Sequence, residues 1–321
     1  MLSSDMLLRR LEARLAHVRS MKPPGVADAA DIQAEFTRAA LDVPRPPRVE
    51  RFPLPRERVR EKLRAGTPLL HGEPVVVDVQ HAAELYSRLR RVVAAMHLST
   101  SPVQSALIAP RQVVEAARDW DAPGDPGRLF GEAFVQHREH LREMAVHAAA
   151  DPDEIVALSI LAVGPSLRAY ARAIGPLVPT GDAAWTRGYC PICGAWPLLG
   201  ELVESQQARR LRCGACGWGW AALPNACPYC GNAGATAMRA PRPVDDATPT
   251  VHVCERCRGF LKLVTAREPA PAELLGFEDA ATADVDAEAT QHGYRRPAGA
   301  GFTLELSIPE SEWAEDLASL D

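Results

Sequence analysis

All eight cysteines of the chain lie in one stretch, between Cys190 and Cys257, and they form four C-x-x-C pairs. The pairs are Cys190 with Cys193, Cys213 with Cys216, Cys227 with Cys230, and Cys254 with Cys257. A two-residue gap lets both sulfurs of a pair face the same ion, and two pairs supply the four thiolates of a tetrahedral site. The sequence therefore predicts two metal ions per chain, each held by four cysteines.

The residues around these pairs, called knuckles below, are typical of metal-binding turns. Glycine follows three of the four knuckles, and glycine adopts positive φ at little cost. Proline follows the first cysteine in two of them, Pro191 and Pro228, and fixes one backbone torsion of the ligand loop before metal arrives. Local composition thus favours four turns that aim their sulfur atoms inward.

Loop lengths indicate how the knuckles combine. Joining the first to the second gives C-x2-C-x19-C-x2-C, and joining the third to the fourth gives C-x2-C-x23-C-x2-C. The first spacing lies within the usual range of zinc ribbons and the second slightly beyond it. Nested or interleaved pairings would order more chain, so we predict sequential pairing.

Other uses of cysteine fit less well. Disulfides require an oxidising compartment and mostly serve small domains that lack a core. A redox C-x-x-C would occur once beside a βαβ pattern, which this sequence does not show. The spacings also differ from those of ferredoxin iron–sulfur clusters. Four thiolates accept either iron or zinc, so the sequence leaves the metal open.

The composition is that of a soluble globular protein. The chain has 321 residues, 47% of them hydrophobic, and a formal net charge of -5. This length predicts two or three domains. Arginines interrupt the apolar positions of the first twenty residues, and the apolar run near Ile155 to Val163 is too short to span a bilayer. We therefore expect a cytoplasmic protein without membrane insertion.

Residues 1 to 180 read as one all-α domain. Apolar residues recur at three- and four-residue steps, and prolines mark the boundaries between segments. We expect the longest apolar helix to be the buried centre of this domain, kinked or divided at Gly164-Pro165. The predicted helices span residues 1–22, 29–41, 80–97, 110–119, 127–149 and 152–174.

Beyond Pro176 the pattern changes to short strands between the knuckles. Such hairpins are too small to have a core, so bound metal should supply their folding energy. We expect aromatic side chains to pack around the sites, namely Trp196, Trp218, Trp220, Tyr229 and Phe260. The predicted fold class is α+β, an N-terminal all-α domain followed by two tandem rubredoxin-like or zinc-ribbon modules. The predicted boundaries are 1–180, 181–224, 225–267 and, for an acidic C-terminal helix and tail, 268–321.

Three histidines in the predicted helix 127–149 invite a second metal interpretation. His137, His140 and His147 lie among Glu139 and Glu143. Their spacing matches neither H-E-x-x-H nor H-x-x-E-H, so no known motif places a general base beside two imidazoles. The pattern favours a solvated helix face.

The knuckle series resembles the FdhE family of formate dehydrogenase accessory proteins. The order and spacing of the matching segments carry the resemblance, and it is looser upstream of them. Those segments are Tyr189 to Gly194 with Pro197, Arg209 to Cys216 with Trp220, Cys227 to Gly231, Cys254 to Lys262, and the tail from Asp284 to Arg295. The chain departs from the family at three places. The family usually has an arginine within the segment that is Ala221 to Asn225 here. It usually has an acidic residue where this chain has His252, and a tyrosine where this chain has Phe260.

This resemblance implies a cytoplasmic, non-enzymatic factor that is required for active formate dehydrogenase and binds its catalytic subunit. It also implies rubredoxin-like sites that can hold iron. The cysteines that would do so are the eight named above, and the resemblance implies no catalytic residue.

Two further function classes remain open, electron transfer at a rubredoxin-like iron and nucleic-acid binding by the ribbons. Residues 186 to 267 hold ten Arg and Lys against five Asp and Glu. Two four-thiolate sites, each contributing about -2 with a divalent ion, reduce this excess to near +1. The rest of the chain is acidic, which disfavours nucleic acid. An enzyme fits least, because a closed four-thiolate site leaves no position for substrate.

Overall fold

The computed structural model describes residues 2–99, 126–147, 151–179, 185–203, 209–221, 225–234, 237–239 and 249–306. Within these ranges, helices come first and a sheet that carries the cysteines follows, so the mixed helix and sheet class is confirmed. The predicted helix at 110–119 lies outside the described residues.

Nine α-helices occur in the described part of the chain. They are α1 (Ser4–Met21), α2 (Pro24–Leu41), α3 (Arg56–Ala65), α4 (Val79–Ser99), α5 (Pro126–Val135), α6 (Arg138–His147), α7 (Pro152–Ile174), α8 (Leu275–Ala280) and α9 (Ala283–Gln291). The predicted helix 127–149 divides into α5 and α6, because Gln136 adopts a left-handed conformation with φ of 63°.

Helix α1 buries one apolar stripe, formed by Leu7, Leu11, Leu15 and Val18. Leu8 also belongs to the predicted apolar pattern, but it is only half-buried. This stripe packs against α2 and against Leu274 and Phe277 of the C-terminal segment. At its edge, Arg14 forms an ion pair with Glu278, whose atoms lie 2.7 Å apart. The beginning and the end of the described chain therefore share a small core.

Helix α7 is the buried centre of the helical region, as expected. Asp151 caps it through its side chain, and Ile155, Leu158, Val163 and Leu167 are among its buried residues. The helix continues through Pro165, which is buried, so the helix is not divided there. All residues from Val163 to Leu167 are buried, and this burial offsets the hydrogen bond that the proline removes. By length and composition Pro152–Leu177 could cross a membrane, but 61% of its apolar window is buried inside the protein, as in a core helix.

Helix α3 was not expected from the sequence, and it leads directly to the first knuckle. It ends at Gly66, whose φ of 75° reverses the chain. The backbone N–H groups of Leu69 and Leu70 then donate to the carbonyl oxygens of Pro191 and Ile192, at 2.8 and 3.1 Å. The hydroxyl of Tyr189 donates to Gly66 O at 2.6 Å. The helical region thus holds the first knuckle by main-chain hydrogen bonds.

The cysteine-rich region forms one five-stranded sheet in the order β3-β2-β1-β5-β4. Its strands are β1 (Pro197–Val203), β2 (Arg209–Cys213), β3 (Gly219–Ala221), β4 (Thr250–Val253) and β5 (Phe260–Ala266). Neighbours pair antiparallel except for β1 and β5, which are parallel and join the two ribbons. Within the described residues 237–239, Arg239 forms one isolated bridge with Val253 of β4.

Each ribbon also contains a buried cation with acidic partners. In the first, Arg212 lies 2.6 Å from Glu201, and both side chains are nearly inaccessible. In the second, the fully buried Lys262 reaches Asp279 and Asp286 at 2.8 and 2.7 Å. These carboxylates belong to the C-terminal segment, so they attach that segment to β5.

Candidate metal centres

The structure brings the cysteine sulfurs into two groups of four, with the sequential pairing expected from the loop lengths. The first group joins Cys190, Cys193, Cys213 and Cys216, and the second joins Cys227, Cys230, Cys254 and Cys257. Within each group all sulfurs lie within 4.8 Å of one another. We call them the first and the second site.

The sulfur spacing fits a tetrahedral ion. In the first site, Cys190 Sγ lies 3.6 Å from Cys216 Sγ, and Cys193 Sγ lies 3.4 Å from Cys213 Sγ. In the second, both cross-knuckle distances are 3.7 Å. Metal–sulfur bonds of about 2.3 Å in a tetrahedron imply a sulfur–sulfur edge of about 3.8 Å. Each donor set could therefore close around one zinc or iron ion.

The four knuckles share one backbone pattern. The N–H of each first cysteine donates to the carbonyl oxygen five residues later, at 2.8 to 2.9 Å. Gly194, Gly217 and Gly231 follow the first three knuckles with φ between 69° and 74°, as their sequence predicts. Arg258 takes this position after the fourth knuckle, with φ of 56°. Its guanidinium donates to Glu255 Oε2 at 2.6 Å and to His292 O at 2.7 Å, which holds the unusual conformation.

The two sites differ in their access to solvent. All four cysteines of the first site are buried, and they belong to the main hydrophobic core together with residues of the helical region. In the second site, Cys230 is half-buried and Cys257 is exposed. An ion in the first site would be enclosed by protein, whereas one in the second would lie next to water.

The environment of the thiols supports the need for a cation. Burial raises the pKa of Cys190 and of Cys216 well above the usual value, so these thiols would be neutral without an adjacent positive charge. Burial also acts to raise the pKa of Cys254, but the backbone N–H groups of Cys257 and Arg256 and the neighbouring thiols lower it to about 7. Each site thus combines raised and lowered thiols: burial also raises the pKa of Cys227 in the second site, and in the first site burial is outweighed by the neighbouring thiols, which lower the pKa of Cys213 well below its usual value.

Aromatic rings connect the two sites. Trp196 lies edge-on to Tyr189 and to Tyr229, with ring centroids 6.1 and 5.5 Å apart. Tyr229 donates to Phe260 O at 3.0 Å. Phe260 is buried. The Trp218 ring packs closely on Gly175, since a Cβ atom built on this glycine would lie 2.2 Å from a ring carbon of Trp218. Packing therefore accounts for much of the aromatic set.

The first and third knuckles approach each other at Gly188. A Cβ built on this residue would lie 1.7 Å from the carbonyl oxygen of Pro228, so no larger side chain fits without moving the backbone. This contact lies beside a cavity of about 260 Å³, lined in part by Trp196, Arg209 and Tyr229. Main-chain packing thus brings together the segments that carry the first and third knuckles.

A third group of metal-type ligands lies in the helical region. Glu132, His137 and His140 bring one ligand atom each within 4.8 Å. The sequence pattern drew attention to both histidines but not to Glu132, which precedes the turn at Gln136. A carboxylate five residues before a histidine across a helix end would have been the signal.

Comparisons with known proteins point to one family, although no protein-family model matches the chain. A protein of Aquifex aeolicus described as "Protein FdhE homolog" is 26% identical over 113 residues, which cover 34% of this chain and 40% of that protein. "Protein FdhE" of Escherichia coli O127:H6 is 28% identical over 114 residues, covering 34% and 36%. The matched segments therefore span less than half the length of these curated relatives.

The fold has a known counterpart along nearly the whole chain. The crystal structure of the FdhE protein from Pseudomonas aeruginosa superposes with a TM-score of 0.51 at 19% identity, covering 92% of this chain and 95% of that one. At this identity the likeness concerns the fold. The chain is thus similar in sequence to two proteins named FdhE, shares its fold with a third, and carries two four-cysteine clusters that could hold metal ions.

Proposed function

We propose that this protein is a cytoplasmic accessory factor that binds the catalytic subunit of a formate dehydrogenase and is required to form the active enzyme. It binds two metal ions, iron or zinc, through the eight cysteines, and it does not itself turn over substrate. The observation that carries the proposal is the pair of four-cysteine sites in a chain related to proteins named FdhE.

The chemistry of the sites supports a binding role. Four thiolates saturate a tetrahedral ion, and such a site has no position for a substrate or an activated water. The first site is enclosed in the main core, where a metal contributes to folding. Within the proposal, the first site is structural, and the second, with its exposed Cys257, is close to the surface that a partner contacts.

The contact surface that we propose is centred on the fourth knuckle. Glu255, Arg256 and Cys257 are exposed there. Arginine contributes strongly to protein interfaces because its guanidinium makes several directed hydrogen bonds. Arg258 is already engaged with Glu255 and His292, and it covers the Tyr294 ring with its guanidinium carbon 3.9 Å from the ring centroid. Arg256 is therefore the residue of choice for a partner's acidic group.

The test is complementation in a strain that lacks the gene, combined with co-purification of the tagged protein with the formate dehydrogenase catalytic subunit. Wild type should restore enzyme activity and retain the subunit. Arg256→Ala should keep both metals but lose co-purification and most of the restored activity. Arg9→Ala, which removes an exposed arginine from α1, is the matched control and should behave as wild type. Full enzyme activity without the gene would contradict the proposal.

Electron transfer through the second site is the second candidate, because exposure of Cys257 would bring an iron ion near a redox partner. Iron-loaded protein should then undergo reversible one-electron reduction and reoxidation, and Cys257→Ser should abolish this at the second site alone. Protein that restores formate dehydrogenase equally well with zinc in both sites would exclude this role.

A further inference from the structure

Glu132, His137 and His140, here called the His-Glu cluster, lie where α5 ends and α6 begins. Glu132 Oε2 is 2.8 Å from His137 Nδ1 and 3.2 Å from His140 Nδ1. The two imidazole rings are 5.0 Å apart between centroids and inclined at 67°. One carboxylate oxygen and two ring nitrogens therefore face a common point outside both four-cysteine sites.

The backbone fixes this arrangement through the way in which α5 ends. His137 N–H donates to Glu132 O at 3.0 Å, and Gln136 N–H donates to Ala133 O at 3.2 Å. These are the two hydrogen bonds of a Schellman motif, in which the left-handed residue is usually glycine and here is Gln136. The motif brings the side chains of Glu132 and His137 together, at positions that often make an apolar contact.

Helix α6 contributes the third ligand from the next turn. His140 lies three residues after His137, and Leu141 N–H donates to His137 O at 3.1 Å, so the helix begins at once. Residues three apart lie on the same face of a helix, which directs His140 toward Glu132. All three ligands thus come from two rigid helices and the short turn between them.

The distances fit a transition metal with nitrogen and oxygen ligands. Bonds of about 2.0 to 2.1 Å in a tetrahedron imply ligand–ligand edges of about 3.3 Å. The two edges to Glu132 are 2.8 and 3.2 Å, so small side-chain rotations would admit an ion. Imidazole favours zinc and its neighbours over magnesium or calcium, which prefer oxygen ligands throughout.

We propose that the His-Glu cluster is a third metal site, specific for a divalent transition ion such as Zn²⁺. The described residues supply three ligands, and water or a ligand from another molecule can complete the coordination. The side chains of His137 and His140 are 38% and 51% exposed, and an ion can reach them from solvent. Without thiolates this site is weaker than the four-cysteine sites and fills after them.

The experiment is a calorimetric zinc titration of the full chain after both four-cysteine sites have been loaded with zinc. One further equivalent should bind to the wild type. His137→Ala and His140→Ala should lose this equivalent, and Glu132→Gln should bind it at least about tenfold more weakly. His17→Ala, which removes an exposed histidine from α1, is the matched control and should keep it.

Cobalt gives an independent signature. A third equivalent of Co²⁺ should add absorption without the sulfur-to-cobalt charge-transfer band of the cysteine sites, because its ligands contain no sulfur. Far-ultraviolet circular dichroism verifies that each variant is folded. Absence of a third equivalent in the wild type, or its persistence in folded His140→Ala, would overturn the proposal and leave the cluster as a carboxylate hydrogen-bonded to two histidines.

Discussion

The two four-cysteine sites have the same donors and nearly the same geometry, but they are built into different surroundings. The first shares the main core with the helical region, and main-chain hydrogen bonds from Leu69 and Leu70 hold its first knuckle. The second belongs to a ribbon whose strands β4 and β5 share a small separate core with α9, formed by Val251, Phe260, Val285 and Ala289. Identical ligand motifs can thus serve an enclosed and an accessible site, and the difference is set by what packs outside the sulfurs.

The largest difference should appear when each site loses one cysteine. Cys190→Ser should release the first ion and lower the free energy of unfolding by more than about 4 kcal/mol, because a metal and the packing around it are lost from the main core. Cys257→Ser should release the second ion and lower the free energy of unfolding by about 2 kcal/mol or less, with the helices intact. Metal analysis and urea unfolding followed by circular dichroism measure both effects. Equal costs would mean that burial does not distinguish the sites.

A second contrast concerns the buried cations of the two ribbons. Arg212→Met should cost about 3 to 5 kcal/mol, because the inaccessible Glu201 would lose its cationic partner and, among the described residues, keep the hydrogen bond from the N–H of Ala270 at 2.9 Å. Lys262→Met should cost about 1 to 2 kcal/mol, since Arg296 still neutralises Asp279 and Asp286 at 2.6 and 2.8 Å. Urea unfolding measures the difference.

The matched control for this contrast is Arg9→Met, at an exposed position of α1, which should cost less than about 0.5 kcal/mol. A larger decrease in the free energy of unfolding for Lys262→Met than for Arg212→Met would show that Arg296 does not substitute for the missing lysine. The second ribbon would then depend more strongly on its buried cation than the first.

Metal release should separate the sites by rate. A coloured chelator should remove zinc in two phases. The rate constant of the fast phase should be about tenfold or more higher than that of the slow phase. This ratio corresponds to about 1.4 kcal/mol of additional free energy for local opening of the buried site. We assign the fast phase to the second site because Cys257 is exposed. Absorbance at the chelator's metal band follows the reaction. Persistence of the fast phase in Cys257→Ser would reverse the assignment.

The smallest expected effect is a loss of protein stability at low pH that arises outside the two four-cysteine sites. Burial lowers the pKa of His81 in α4, although Asp78 partly opposes this shift. The unfolded chain therefore binds this proton more tightly, and stability falls as the pH drops below about 6.5, by at most about 1.4 kcal/mol per pH unit. His81→Gln should make the free energy of unfolding between pH 7.5 and 5.5 less steep. An unchanged slope would remove His81 as the cause, and all acid sensitivity would then come from elsewhere.

The sequence predicted the local features of the sites well. The loop lengths predicted the sequential grouping of the knuckles, which the structure has. The glycines that follow three of the knuckles predicted positive φ, and all three have it. Both features depend on neighbouring residues, so local chemistry decides them. Arg258 was not anticipated in the fourth such position, because its conformation depends on hydrogen bonds to Glu255 and His292, and His292 is distant in the sequence.

Features that depend on distant segments were harder to predict. Helix α3 has only Val59 and Leu63 as buried residues, too few for a clear apolar stripe. The segment that follows it is fixed by the hydrogen bonds of Leu69 and Leu70 to the first knuckle, which is distant in sequence. The parallel pairing of β1 with β5 joins Gly200 to Leu263, and no local pattern encodes it. The proposed division into domains at 180, 224 and 267 stays a prediction.

The parallel pairing of β1 with β5 also has a consequence for synthesis on the ribosome. Strand β1 can pair with β2 as soon as both have emerged, because they are close in sequence. Its other edge stays unpaired until β5 has been synthesised, some sixty residues later, because Gly200 pairs with Leu263. During that interval the nascent chain presents an open strand edge, the kind of surface that captures other chains. A polypeptide truncated before Phe260 would keep that edge permanently exposed and should aggregate even with its first ion bound.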